Sequence, residues 1–255
     1  MQGSFTIYIF NAHRIREKAV RELLSRHCLL YETDDSQKKE EFLTQQLHVP
    51  KEWIHEAKAT RARAEGDHHK EALHLMKAGH WNQCHKLVIR HLASDAIINE
   101  NYSYLKSFLD EISLQDRCSH IQDWDTSGRV YLDYIRIIET LNRIQQLDGP
   151  GYELEHLHTK VTSLCSRIAL IPCRTAKDRL AQSDIAKRTA NILRVVLILQ
   201  HSSETGPDYA PDSQRVPLKL LAPHIGRLPM PEDYALEELH SLTQSYLREL
   251  IVSSQ

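Results

Sequence analysis

The chain has 255 residues, 41 % of them hydrophobic and 26 % charged, with a formal net charge of −2. A chain of this length buries roughly 70–75 % of its unfolded surface, enough for a large core without covalent staples. Near-neutral charge argues against a broad electrostatic partner such as DNA or an anionic membrane.

Residues 1–20 form an unassigned extension. FTIYIF within MQGSFTIYIF is strand-like, unlike all that follows, and the segment lacks the basic start and small-residue cleavage site of a secretion signal. In the whole chain glycine (8) and proline (9) are scarce, and six of the nine prolines lie at or after Pro207. Helical periodicity is nearly continuous before that point. A first helix is predicted from about Arg14 to Tyr31, with Val20, Leu24, Cys28 and Tyr31 on one face. DDSQ at 34–37 offers caps for a helix to about Leu47, and Pro50 sits where a first-turn proline belongs. The next helix carries Trp53, Ile54, Ala57 and Ala64 up to Gly66. Lys58, Arg61 and Arg63 are interleaved with Glu56 and Glu65, which reads as a solvated face.

HHKEALHLMKAGHWNQCHKLVIRHLA, 68–93, has the pattern of a helical hairpin. Gly79 supplies the turn, Leu75 and Trp81 close the corner, and Leu73 and Met76 face Leu87, Val88 and Leu92. Such hairpins bury their apolar faces by stacking on neighbours. Ile98, Tyr102, Leu105, Leu109 and Ile112 form an amphipathic stripe, with Ser94 or Asn99 as the expected N-cap. The next helix is apolar on two sides, through Val130, Tyr134, Ile137, Leu141 and Ile144 and through Tyr131, Ile135 and Ile138. That pattern predicts a sandwiched layer. Leu154, Leu157, Val161, Leu164, Ile168 and Ile171 follow, closed by Pro172. A helix from Ala176 to Gln200 carries Leu180, Ile185, Leu193, Val196 and Leu197. Residues 202–216 read as loop, and two terminal elements follow, Pro217 to about Ile225 and Pro231 to about Val252. The expected fold is all-α: an irregular solenoid of stacked hairpins, about nine to eleven helices, with 21–201 as its body and 217–255 as terminal helices and a possible docking segment.

Candidate chemistry is thin. Ser94 and the carboxylates Asp110 and Glu111 lie at opposite ends of a helical stretch, more than ten residues apart, and so cannot converge within it. Sixteen histidines invite a metal reading centred on 68–91, where His68, His69, His74, His80, Cys84 and His85 cluster. Against it, no Cys₂His₂ or HExxH spacing occurs. Phosphate-cradling and nucleophile-elbow motifs are missing too. The five cysteines at 28, 84, 118, 165 and 173 form no CxxC pair, and their odd number points to reduced thiols in the cytosol or nucleus. Cys165 and Cys173 read as buried and inert, and Trp124 as a corner-packing residue. The acidic pairs at 34–35, 40–41 and 237–238 fall at expected helix starts or exposed faces. Ile192–Leu199, the longest apolar stretch, is interrupted by Arg194 and too short to span a bilayer. No catalytic residue, metal or cofactor is assigned. The feature in excess is the stripe Leu236, Leu239, Leu242, Tyr246, Leu247 and Leu250 behind the connector LLAPHIGRLPMP, a candidate partner-docking face.

VPKEWIHEAKA (49–59), AGHWNQCHKLVIRHLASDAIINENY (78–102), IQDWDTSGRVYLDYIR (121–136), AKDRLAQSDIAKR (176–188) and RVPLKLLAPHIGRLPMPEDYA (215–235) resemble the C-terminal region of the ninety-six-kilodalton scaffold nucleoporins. The resemblance runs from about Leu23 to Glu249 and leaves residues 1–20 outside. That family is made as the C-terminal part of a self-cleaving precursor and belongs to the Y-shaped complex of the nuclear pore. The resemblance implies an ancestral-coatomer α-solenoid at the nuclear envelope, architectural in role. Its tail would meet two large helical Y-complex subunits at the hub. The family's autoproteolytic site and propeller-completing strand find no match here, so this chain is expected neither to cleave itself nor to hold that propeller. The competing reading is a metal-dependent enzyme built on the His-rich hairpin 68–91.

Overall fold

The computed structural model describes residues 16–28, 33–144, 146, 151–204 and 218–253. The strand-like FTIYIF, Tyr31 and the loop beyond residue 204 fall outside them. Among the described residues no strand occurs. The helices in chain order are α1 (16–27), α2 (Asp34–Glu41), α3 (Lys51–Glu65), α4 (His68–Lys77), α5 (Trp81–Leu87), α6 (Ala93–Ile98), α7 (Tyr102–Ile112), α8 (Gln115–Cys118), α9 (Gly128–Ile144), α10 (Gly151–Arg167), α11 (Ala176–Glu204), α12 (Leu218–Ile225) and α13 (Glu232–Ser253). They fall into two compact units, 1–92 with 114–122 and 93–113 with 123–255.

In the first unit, turn chemistry sets the helix boundaries. Thr33 and Ser36 form a capping box that starts α2, reciprocally satisfying two orphan amide groups. Gly66 ends α3 at φ 74°, and Asp67 then accepts from the Lys70 amide to start α4. Gly79 turns α4 into α5 at φ 76°, the left-handed conformation that glycine adopts without a Cβ penalty. The α3–α4 hairpin buries Ile54, Ala57, Ala59 and Ala62 with Ala72 and Leu75. The buried face of α4 differs from the expected one. Glu71, Ala72, His74 and Leu75 are buried, while Leu73 and Met76 are only half-buried.

Lys58 corrects the solvated-face reading more strongly. Its side chain is 2 % exposed and its Nζ lies 2.5 Å from Glu40 Oε1 of α2. Glu40, assigned by its sequence setting to a helix start or exposed face, is thus the counter-ion of a buried lysine. Removing one partner of a buried pair strands the other. With Glu40 30 % exposed, solvent screening tempers the effect. Glu40→Ala is expected to lower stability by about 2 kcal/mol and Lys58→Met by less than about 1 kcal/mol. Urea unfolding followed by Trp53 fluorescence measures both. Equal losses would dismiss the stranded-charge account.

The second unit is apolar at its centre. α9 buries Val130, Tyr131, Leu132, Tyr134, Ile135, Ile137 and Ile144, and it packs on α7, α10 and α11. It is the sandwiched layer that its two stripes predict. The whole α10 stripe, Leu154, Leu157, Val161, Leu164, Ile168 and Ile171, is buried. Each such side chain contributes about 1.5–3 kcal/mol. α11 buries four of its five expected residues, Ile185, Leu193, Val196 and Leu197, together with Ala181, Ala186, Thr189 and Ala190, but Leu180 is 58 % exposed. It also continues to Glu204, past the expected end at Gln200.

The stretch 98–112 corrects two expectations. Its stripe belongs to two helices, because the chain breaks at Asn99–Asn101, where Glu100 takes φ 56°. Ser94 lies inside α6 and Asn99 just beyond its end, so neither is an N-cap. Asn101 occupies that position for α7, without a side-chain hydrogen bond.

Candidate docking face

The residue types that could carry chemistry are committed elsewhere. Ser94 Oγ donates to Asp178 Oδ1 at 2.7 Å, and its hydroxyl also hydrogen-bonds the Tyr131 phenol. Asp178 Oδ2 accepts from the backbone amides of Arg174 at 3.0 Å and Thr175 at 2.9 Å, while the Asp178 amide donates to Thr175 Oγ1. This buried group is the N-terminal cap of α11 bolted to α6. Both carboxylate oxygens of Asp178 are engaged, one by Ser94 and the other by backbone amides.

The histidines are likewise dispersed. His80 Nε2 is 2.8 Å from Glu56 Oε1, and Glu56 Oε2 accepts from Arg21 Nη1 at 2.6 Å. His68 stacks on His91 at 3.9 Å between centroids. Cys84 is buried and donates to the Ala72 carbonyl, so it does not share a cation site with His80. Among the described residues, no three His, Cys, Asp or Glu side chains are placed to hold a metal ion. Burial pushes the Cys84 thiol up to about 12 and that of Cys165 to about 11, which keeps both protonated and non-nucleophilic at neutral pH. Trp124, at the corner before α9, is buried.

On the second unit, α12 anchors the terminal segment. Leu221, Ile225 and Leu228 are buried, and α12 packs on α10 and α11 as well as on α13. α13 is tied to α11 by the Arg194–Glu238 ion pair and by Lys187 over the Tyr234 ring, 5.1 Å from its centroid. The structure distributes the predicted stripe over two faces. Leu242 is 8 % exposed and turned inward, Leu239 is half-buried, and Leu236 and Leu247 stand 59 % and 52 % exposed. The side chains of Tyr246 and Leu250 lie outside the described residues. His240 and Thr243 fill the outer face between the two exposed leucines. The two exposed leucines thus share one helix face, with His240 and Thr243 between them.

A further apolar surface, which periodicity did not single out, lies on the first unit. There Leu23, Leu24, Cys28, Phe42, Leu43 and Ile54 line an open groove of about 600 Å³, with Leu23 and Phe42 largely exposed. Its sequence signal is Phe42 at a place where the helix after α2 widens into a π-wound turn, Phe42–Gln46. No helix among the described residues is long and apolar enough to cross a membrane.

The described residues thus form an all-α protein of layered amphipathic helices with exposed leucines on its terminal helix. Residues 2–61 match the family model for nuclear protein 96, Nup96. Over 93 % of its length the chain is 30 % identical to the Nuclear pore complex protein Nup98-Nup96 of Drosophila melanogaster, covering 12 % of that protein. In sequence the chain is similar to the Nup96 family of nucleoporins. It is also 25 % identical over 91 % of its length to the Dictyostelium discoideum protein of the same name, covering 11 % of it. To the Arabidopsis thaliana Nuclear pore complex protein NUP96 it is 24 % identical over 73 %, covering 18 %. The chain therefore spans about an eighth of the first two of these relatives. The family match begins at residue 2, so it takes in the first twenty residues that the sequence resemblance had set aside.

Proposed function

We propose that this chain is a non-catalytic structural scaffold segment of the nuclear pore complex at the nuclear envelope, packing its helices against other Y-complex nucleoporins and so supporting nucleocytoplasmic transport. The observation that carries this reading is the outer face of α13, where Leu236 and Leu247 remain exposed although Leu242, on the same helix, is buried. Helices that dock on partner helices present such strips, and permanent assemblies bury over about 2,000 Å² through them. Relatives named as nuclear pore complex proteins match over most of the chain, which supports the same reading. The expected partners are the two large helical Y-complex subunits that meet at the hub.

A pull-down of the chain against separate Y-complex subunits tests the proposal. Leu236→Asp with Leu247→Asp is expected to weaken capture at least about tenfold, since two desolvated leucines each contribute a few kcal/mol. Helical content by circular dichroism should be unchanged. Undiminished capture by the double variant would move the interface elsewhere, and no capture by the unmodified chain would remove the scaffold reading.

A further inference from the structure

Beside its apolar residues the α3–α4 hairpin buries the polar side chains of Lys58, Glu71 and His74. His55 of α3 and His74 of α4 face each other with their Nδ1 atoms 3.3 Å apart. The rings lie 19° from parallel, with centroids 5.4 Å apart. His74 is buried and His55 half-buried. At that separation one Nδ1 donates and the other accepts, with a single proton between the facing nitrogens, an arrangement that two neutral rings of opposite tautomers supply.

The surroundings favour this neutral state. The charged groups around the pair are Lys70 and Lys77 of α4, Lys58 and Glu52 of α3, and Glu40 of α2. The cations outnumber the anions, and Glu40 is already bound to Lys58. Burial, then Lys77 and Lys58, hold His55 below the usual imidazole range. Burial, His55 and the lysines take His74 down to about 4. Protonating both rings would leave two N–H groups facing each other across the gap, with no acceptor and two like charges added beside three lysines.

We propose that the facing His55 and His74 imidazoles are a proton-operated latch: neutral, they hold α4 on α3; protonated, they loosen this hairpin while the second unit keeps its fold. Both groups bind protons more weakly when folded than when unfolded. The stability they contribute is therefore complete above the ordinary histidine pKa of about 6.5 and is lost as pH falls from there toward about 4. No large apolar core surrounds the pair to compensate. In the second unit the counterpart layer is built from Val130, Leu132, Ile135 and Ile137, which do not titrate.

Amide hydrogen exchange of the full chain at about pH 7 and about pH 5, corrected for the intrinsic rate at each pH, tests this. The open population of segment 51–77 is expected to rise about tenfold or more between the two, from the proton linkage of His74 with that of His55 added. Segment 128–167 should not change. His74→Gln keeps a hydrogen-bonding side chain that takes up no proton, and should cut the rise to what His55 alone contributes; His55→Gln is the second variant should the first not fold. A flat response of 51–77 in the unmodified chain, an equal rise in 128–167, or an undiminished rise in the glutamine variant would each overturn the latch.

Discussion

Tyr134→Ala is expected to lower the stability of the second unit by about 4 kcal/mol, within the range for truncating a large buried aromatic. Tyr134 is fully buried at the centre of α9, the layer enclosed by α7, α10 and α11. Its ring meets Tyr102 of α7 edge-on, 5.8 Å between centroids and 82° between planes, a favoured aromatic geometry. Its hydroxyl is 3.4 Å from that of Tyr102, which accepts from Arg188 of α11 at 3.0 Å. Arg188 in turn holds Glu100 at 2.5 Å. Truncation thus opens a cavity and removes one end of a chain of contacts linking α9, α7 and α11. Tyr134→Phe removes only the hydroxyl and should cost about 1 kcal/mol. Urea unfolding followed by the fluorescence of Trp124, buried in the same unit, reads both variants. Similar losses for Ala and Phe would mean that the ring is not packed as described.

Much of this architecture was legible because a one-sided helix at regular spacing has a single face to bury. The α10 stripe from Leu154 to Ile171 went inward without exception, and the two stripes of α9 announced a layer with neighbours on both sides. α11 was read only in part: Ile185, Leu193, Val196 and Leu197 are inward as expected, but the rest of its inner face is Ala181, Ala186, Thr189 and Ala190. Small and hydroxyl side chains carry little hydropathy signal, yet they let α6 and α10 approach. Leu180 has the hydrophobicity and faces water. At 98–112 the spacing from Ile98 to Tyr102 happened to keep helical phase across a break, so periodicity ran through a boundary that the pair Asn99 and Asn101 marks. Lys58 was misassigned because only the fold brings Glu40 of a different helix to it.

The docking face shows the same limit more sharply. Leu236 and Leu247 are eleven positions apart, about 20° around a helix, whereas Leu242 lies about 120° from Leu236. Periodicity found all of these leucines but could not say which edge of so wide a stripe meets α12 and which faces outward. That depends on where Arg194 and Lys187 of α11 grip Glu238 and Tyr234, contacts spanning more than forty residues. Thr175 and Asp178 could have been found locally, since a threonine followed three residues later by a carboxylate marks a helix start. The reach of Asp178 to Ser94, 84 positions away, could not.

Asp178→Ala is accordingly the second large effect, expected to destabilise the second unit by about 3 kcal/mol. A lost N-cap contributes about 1 kcal/mol, and hydrogen bonds to a charged group about 1.5–3 kcal/mol. The substitution unties the start of α11 from backbone amides 174 and 175 and leaves Ser94 buried without its acceptor. Burial alone would raise the Asp178 carboxyl, but hydrogen bonds from Ser94, Thr175 and Arg174 outweigh it and hold the group below its ordinary value of 3.8. A depressed folded pKa means that the carboxylate's contribution is fully present above that ordinary value and disappears as pH falls through the folded one. The stability gap between the unmodified chain and Asp178→Ala should therefore be constant from about pH 7 to pH 5 and shrink below about pH 4. That window lies under the one assigned to the histidine latch, so the two effects separate along the pH axis. Urea midpoints followed by Trp124 fluorescence at each pH measure the gap. A gap that persists undiminished near pH 3 would show that Asp178 acts by its shape alone and that its charge does not hold the cap.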